Sequence, residues 1–272
     1  MRPWIALFFL GPFALGVTTG CQLDHAGIGA DGGRGEAGLE GGPRPATWCT
    51  TPPNDVHDFC ADFDNLKDVF DRSPGAFCDF GGLENNCVDT TSGGAIALDT
   101  MFFRSAPNAM LATLPPSNAG TTRALLFRPV PTSGSTLTYA FDLRIDAAGM
   151  GSVTVGEIQL GDMGHRITLR VDNGIPDGGQ IGPGLVVEEE SSSGLSELPI
   201  GSVPSGTFVR ISAVTTSAPN TVTVSIDGKN PGTLSIAGTT DTRARAISLG
   251  LVGAAPSTAW RMRYDNVTFD HR

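Results

Sequence analysis

The chain has 272 residues, a formal net charge of −10 and only 17% charged side chains. No cluster of Lys and Arg occurs along it, so the basic surface that nucleic acid binding requires is missing, and binding to anionic lipid headgroups is unexpected for the same reason. Gly, Thr, Ser and Val are abundant while strong helix formers are scarce, which predicts an all-β protein.

The N-terminus has the parts of a secretory signal: Arg2 gives a positive start, residues 4–17 form a short apolar run, and small residues precede Cys21. This end resembles a bacterial lipobox, in which the cysteine after the cut carries the lipid. The resemblance implies a lipoprotein signal peptide at residues 1–20, lipid attachment at Cys21 and the membrane as a partner through that anchor.

Gln22 follows the cysteine. An aspartate at this place retains bacterial lipoproteins in the inner membrane, so the same resemblance implies the outer membrane of a bacterial cell envelope. An ordinary cleavable signal and plain secretion are the alternative, because the residues before Cys21 are also small enough for that cut.

Residues 21–46 are rich in glycine and have almost no apolar side chains. Such a segment buries too little surface to fold, so we expect a disordered tether there. The folded domain is then predicted at residues 47–272, long enough for one large β-domain.

Four cysteines remain besides Cys21, an even number near the start of the domain, which fits two disulfides in an oxidising compartment. Of the three pairings, we favour Cys49–Cys60 and Cys78–Cys87, since both close short loops. A zinc site is not predicted, because no C-x₂-C spacing occurs and the histidines are scattered.

Apolar and polar residues alternate at several places, as they do in half-buried strands. The clearest case is Leu137–Ile145, and residues 209–213 are predicted to pair with residues 222–226. The alternation slips around Gly156-Glu157, which predicts a β-bulge, and again at Asp265-Asn266. At least ten short strands at this spacing predict a two-sheet antiparallel sandwich.

Three segments resemble the concanavalin A-like (laminin G-like) jelly rolls of bacterial surface proteins. Residues 59–64 (FCADFD) are similar to the opening strand of that group, residues 264–269 (YDNVTF) to its closing strand, and residues 222–228 (VTVSIDG) to an internal hairpin. The resemblance implies a jelly-roll sandwich, a fold shared by lectins, glycoside hydrolases, polysaccharide lyases and adhesive modules. The fold alone does not set the function.

Candidate catalytic carboxylates are few. Concanavalin-like hydrolases carry E-x-D-x-x-E on one strand, and the nearest stretch here has Glu157 but Gln159 in place of the aspartate and no final glutamate. Glu157 is therefore expected to be solvated or associated with the bulge. The densest acidic run, residues 188–190, could form a carboxylate pair, but we expect a charged edge strand, because such charges deter edge-to-edge pairing.

Asp62, Asp64, Asp265 and Asn266 fall in the first and last strands, which are neighbours in this fold. An oxygen-rich cluster suits calcium. A structural calcium ion is therefore one hypothesis, and hydrogen bonds from these short side chains to backbone groups are the simpler one.

No serine elbow accompanies His165, the lyase motifs of this fold are absent, and Trp260 and Tyr264 are expected to pack in the core. The sequence therefore predicts no catalytic residues and a protein that is not an enzyme. The leading hypothesis is a non-catalytic envelope module that binds glycan or another surface polymer. The alternatives are a divergent carbohydrate-active enzyme, either hydrolase or lyase, and a purely structural envelope component.

Overall fold

The computed structural model describes residues 47–64, 66, 69, 76–78, 87–118, 120–130, 134–161, 165–177, 180–192, 194–237 and 244–272. The signal peptide, Cys21 and the tether lie outside these residues. Residues Pro45–Arg272 form one compact unit. Within the described residues no helix is long and apolar enough to cross a bilayer.

Strands dominate the domain, with two short 3₁₀ turns ahead of them at Trp48–Thr50 and Asn54–Val56. In chain order the strands are β1 (Phe59–Ala61), β2 (Val88–Thr91), β3 (Ala95–Asp99), β4 (Ala109–Leu114), β5 (Thr121–Pro129), β6 (Thr136–Ala147), β7 (Gly151–Leu160), β8 (His165–Asp177), β9 (Gln180–Ser191), β10 (Gly194–Ser202), β11 (Val209–Ser217), β12 (Asn220–Ile226), β13 (Lys229–Ser235), β14 (Ala244–Ala254) and β15 (Trp260–His271).

The strands form two antiparallel sheets that pack face to face. Sheet I has the order β13-β12-β11-β6-β15-β4-β3, and β1 pairs with the C-terminal part of β15. Sheet II has the order β10-β9-β8-β7-β14-β5-β2. The predicted two-sheet antiparallel jelly-roll sandwich is confirmed.

The core lies between the sheets and follows from the alternation. Leu137, Phe141 and Ile145 of β6 point inward from sheet I, and they meet inward side chains of sheet II such as Ile158 and Leu169. Each such side chain contributes about 1.5–3 kcal/mol when fully buried. A one-residue slip of any of these strands would move its apolar set to solvent, so the pattern also fixes the register.

Both predicted irregularities are present. In β7 the pairing with β8 shifts between Thr154 and Gly156, so Val155 is the extra residue of a bulge. In β15 the pairing with β6 shifts between Asp265 and Thr268, where Asn266 has φ of 50°. Asparagine tolerates this left-handed backbone better than most residues, which explains its place at the shift.

The start of the domain is attached to both sheets by disulfides. Cys49 is bonded to Cys60 of β1, which belongs to sheet I, and Cys78 is bonded to Cys87, which directly precedes β2 of sheet II. The structure therefore has the two pairings favoured from the loop lengths.

One strand prediction is wrong. Residues 188–190 belong to β9, and β9 is not an edge strand, because β10 pairs along its other side. The charges of this run are therefore not there to protect an edge. Glu188 and Glu190 lie on the outer face of sheet II, whereas Glu189 lies on its inner face.

Candidate active site

A groove with a cavity volume of about 730 Å³ crosses the outer face of sheet II. Six adjacent strands, from β9 through β8, β7, β14 and β5 to β2, supply its floor. The floor is polar and charged toward β7, β8 and β9, and it includes apolar side chains toward β5 and β2. Because side chains of a strand alternate between faces, the same alternation that fills the core places these residues outward.

Two carboxylates lie in one row across the charged part of the groove. Glu157 of β7 is paired in register with Thr168 of β8, and Thr168 is paired with Glu188 of β9. Neighbouring strands are about 4.8 Å apart, so the two glutamate backbones are separated by about 10 Å. Both side chains are mostly buried, with 15% and 14% of their surface exposed, and Thr168 lines the groove between them.

A second row lies beside the first and consists of Gln159, Arg166 and Glu190. Arg166 Nε is 2.7 Å from Glu190 Oε2, and Arg166 Nη1 is 3.8 Å from Glu157 Oε2. Gln159 Nε2 donates a hydrogen bond of 3.1 Å to Glu157 Oε1. Glu157 therefore lies between an amide donor and a guanidinium.

Arg170 holds the other glutamate of the first row. Its guanidinium forms ion pairs with Glu188, with Asp172 at 2.6 Å and with Glu197 at 3.1 Å. Burial lowers the pKa of Arg170, but the hydrogen bonds and charges of Asp172 and Glu197 outweigh it, so the pKa is raised. This fixed positive charge favours the ionised form of Glu188.

The other half of the groove offers an apolar surface. Phe127 and Leu125 of β5 are half-buried and line the floor, together with Val88 of β2. A flat ring in a groove supplies a large contact area at small conformational cost. At this end Arg123 Nη1 lies 3.0 Å from Asp89 Oδ2.

Tyrosine is absent from the groove. The chain has two tyrosines, and both hydroxyls are buried between the sheets: Tyr139 donates to Ser248 O at 2.9 Å and Tyr264 to Gly250 O at 3.0 Å. Burial raises the pKa of both well above its usual value. These hydroxyls tie the sheets together, and the prediction that Tyr264 and Trp260 pack in the core is confirmed.

The described histidines also lie elsewhere. His165 faces the core side of β8, where Nε2 is 2.9 Å from Oε1 of the buried Glu189. His57 pairs with Asp270 at 2.7 Å, and His271 pairs with Asp58 at 2.8 Å, both beside β1 and β15. Carboxylates are therefore the acid–base groups that the described part of the groove presents.

The predicted oxygen-rich cluster forms where β1 meets β15. Asp265 Oδ2 accepts the N–H groups of Arg104 and Ser105 at 2.7 and 2.9 Å, and Asp62 Oδ2 accepts the N–H of Cys49 at 2.8 Å. Among the described residues no group of three or more His, Cys, Asp or Glu side chains is arranged to hold a metal ion. Backbone N–H groups and side chains, such as the Ser105 hydroxyl, donate hydrogen bonds to this cluster, and calcium there stays a prediction.

Sequence reasoning identified Glu157 and the run at 188–190 but not the site they form. Arg166, Arg170 and Thr168 were missed, although their outward phase on β8 could have been read from the inward phase of Ile167 and Leu169. What the sequence could not supply was the register of three strands, which alone brings these side chains together.

No protein-family model matches the sequence, and no curated protein matches it either. Solved structures do. The fold is similar to the endo-β-1,4-glucuronan lyase of the fungus Trichoderma reesei, with a TM-score of 0.58 and 13% identity over 80% of this chain and 96% of that one. Weaker likenesses include the alginate lyase of Klebsiella pneumoniae (TM-score 0.48, 12% identity, covering 63% of this chain and 84% of that one) and the cellulose-induced protein Cip1 (TM-score 0.49, 17% identity, covering 69% and 90%).

These comparisons correct two predictions. The chain was expected to be a non-catalytic binding module and not an enzyme, but the solved structure whose fold it shares at a TM-score of 0.58 is a polysaccharide lyase. The alternative, a divergent carbohydrate-active enzyme, has the better support. The prediction of a protein without catalytic residues was based on motifs that place both carboxylates on one strand. The candidate carboxylates of this domain, Glu157 and Glu188, lie on two different strands.

Proposed function

We propose that the domain is a carbohydrate-active enzyme that cleaves a polysaccharide lying across the groove on the outer face of sheet II. The observation that carries the proposal is the row Glu157–Thr168–Glu188, two carboxylates flanking a small residue on the floor of a 730 Å³ groove. The fold shared with a glucuronan lyase supports it.

The reaction that the row supports best is hydrolysis by an acid and a base. Inverting glycosidases hold their carboxyl groups about 6.5–9.5 Å apart, so that a water molecule fits between one of them and the sugar. A backbone separation of about 10 Å is compatible with that range. Phe127 would support the apolar face of a neighbouring sugar ring.

The contacts assign the two roles. Glu188 is paired with Arg170, which favours its carboxylate form, so it is the base that takes a proton from water. Glu157 has the longer cation contact of the two, at 3.8 Å, and takes the other role in this proposal, that of the acid. It gives its proton to the glycosidic oxygen as the bond from the anomeric carbon to that oxygen breaks and the water oxygen bonds to this carbon.

Elimination is the second candidate, and a specific contact favours it. Arg166 and Gln159 are paired in register beside Glu157 and could bind the carboxylate of a uronic acid. Glu188 would then take the proton from the carbon next to that carboxylate, the bond to the glycosidic oxygen would break, and this oxygen would take a proton from Glu157. The products differ, because elimination leaves a carbon–carbon double bond in the new non-reducing sugar and hydrolysis does not.

The test is a digest of neutral, amine-bearing and uronic acid polysaccharides with the exported chain. New reducing ends without ultraviolet absorbance are expected, whereas reducing ends with absorbance from the double bond would show elimination. Glu157→Gln is expected to lower the rate by about 10²–10⁴-fold. Asp227→Asn, in the exposed β12–β13 hairpin of sheet I, removes one charge away from the groove and should leave the rate unchanged. Cleavage of no polysaccharide, or full activity of Glu157→Gln, would refute the proposal.

A further inference from the structure

The charge balance of the groove sets it apart from a site for an acidic polymer. Four carboxylates line it, those of Asp89, Glu157, Glu188 and Glu190, against the two guanidiniums of Arg123 and Arg166. The whole chain adds to this imbalance with its formal net charge of −10. A cleft lined by one sign of charge concentrates ligands of the opposite sign and repels ligands of its own.

The arginines of the groove are already engaged. Arg123 is paired with Asp89 at 3.0 Å, and Arg166 is paired with Glu190 at 2.7 Å. Arg170, which lies beside the groove, contacts three carboxylates. An incoming uronate would lie next to the carboxylates that hold these arginines, and placing like charges next to each other costs several kcal/mol.

Exposed carboxylates lie near both ends of the groove. Glu190 of β9 has 49% of its side chain exposed, and Asp89 of β2 has 40%. β9 and β2 are five strand spacings apart in sheet II, which corresponds to about 24 Å. Negative charge therefore faces solvent over a length that several sugar units occupy.

We propose that the groove selects a polysaccharide that bears protonated amino groups, a polymer of 2-amino sugars, over a polymer of uronic acids. The inference rests on the proposed function for the location of the substrate. Ammonium groups would add to the arginine contacts of Glu190 and Asp89, because an exposed carboxylate has further acceptor positions. The sugar rings would lie on Phe127 and span the row Glu157–Thr168–Glu188. A substrate without a carboxylate cannot undergo the elimination described above, so this preference also selects hydrolysis.

The experiment compares binding of three oligosaccharides of equal length to the chain carrying Glu157→Gln, which is expected to bind them without cleaving them. The probes are a glucosamine oligomer, its fully N-acetylated counterpart and a glucuronic acid oligomer, at a pH at which the amines are protonated. Isothermal titration is expected to show at least about tenfold tighter binding of the glucosamine oligomer than of either other probe. That advantage should shrink as salt is raised, since exposed charges are screened.

Two variants test the location. Glu190→Gln removes one negative charge from the groove and should weaken binding of the glucosamine oligomer about threefold or more, whereas Asp227→Asn removes the same charge elsewhere and should not. Equal or tighter binding of the glucuronic acid oligomer, or an equal loss in both variants, would overturn the inference. A chain that prefers the glucosamine oligomer but cleaves nothing would refute the proposed function and leave this preference standing.

Discussion

Two buried carboxylates, Asp64 and Asp265, have pKa values well above that of an ordinary aspartate. Burial is the main cause that raises the pKa of Asp64 to about 6. The hydrogen bond from the Asn108 N–H lowers this pKa, and the negative charge of Asp62 raises it. Burial raises the pKa of Asp265 to about 7, although the N–H groups of Ser105 and Arg104 lower it. Among the described residues Asp64 Oδ2 has no partner in good hydrogen-bond geometry, so the cost of burying its charge is only partly offset.

These raised pKa values predict a loss of stability as the pH rises. Below pH 3.8 the Asp64 carboxyl is protonated in both states. Between pH 3.8 and about 6 it ionises in the unfolded chain but stays protonated in the folded domain, so the unfolded state is favoured. Asp64→Asn keeps an acceptor for the Asn108 N–H and should be more stable than the native chain by about 2 kcal/mol at pH 7.

Urea unfolding at pH 4 and pH 7 checks this, because the gain should be present at pH 7 and nearly absent at pH 4. Asp227→Asn, an exposed carboxylate, should show no such gain at either pH. An Asp64→Asn variant that is less stable than the native chain at pH 7, together with a native chain destabilised by a chelator, would contradict the prediction and favour calcium at this cluster.

Strand β7 is the element on which the candidate site depends. Its bulge puts Val155 and Gly156 both on the buried side and thereby turns Glu157 and Gln159 to the groove. Gly156 is needed because a Cβ there would lie 3.1 Å from Phe141 Cε1 and 3.4 Å from Tyr139 Cε1. The bulge is therefore pressed against the aromatic side chains of β6.

Gly156→Ala should lower the free energy of unfolding by about 1–3 kcal/mol, since an added methyl overpacks this part of the core. It should also lower the cleavage rate more than the affinity for substrate, because Glu157 moves with its strand. Gly182→Ala is the matched control: a Cβ there meets nothing within 4 Å. Chemical denaturation measures the free energy of unfolding, and a comparison of kcat with KM measures the effect on cleavage. An equal loss of stability and activity in the two glycine variants would contradict this role of the bulge.

What the sequence predicts well is whatever depends on one strand or one hairpin. The core face of β6, the slip near Glu157 and the pairing of β11 with β12 all follow from apolar spacing. The prediction that residues 188–190 form an edge strand was wrong. Strand β10, which pairs with β9, is mostly exposed and lacks the apolar alternation that would have revealed it. The groove was missed for a similar reason, since Arg166 reaches Glu157 and Glu190 only through the register of neighbouring strands.

At the scale of the whole molecule, the predicted lipid anchor is the feature that would decide where the protein is attached. The whole chain has a formal net charge of −10, which does not favour binding to anionic lipid headgroups. We therefore propose that attachment to the envelope, in the outer membrane, depends on the lipid predicted at Cys21. The tether predicted at residues 21–46 would let the groove reach a polymer outside the lipid surface.

Mass spectrometry of the mature N-terminus tests the anchor. The expected result is a chain that begins at Cys21 and carries acyl groups. Two or more acyl chains would attach it stably, because each buried methylene contributes about 0.8 kcal/mol. Cys21→Ser should move the protein from the membrane fraction to the soluble fraction while leaving cleavage of soluble polysaccharide unchanged, since the groove lies in the folded domain. An unmodified start at Gln22 or later, or a Cys21→Ser variant that stays with the membrane, would show instead that the signal is an ordinary one or that another part of the chain binds the envelope.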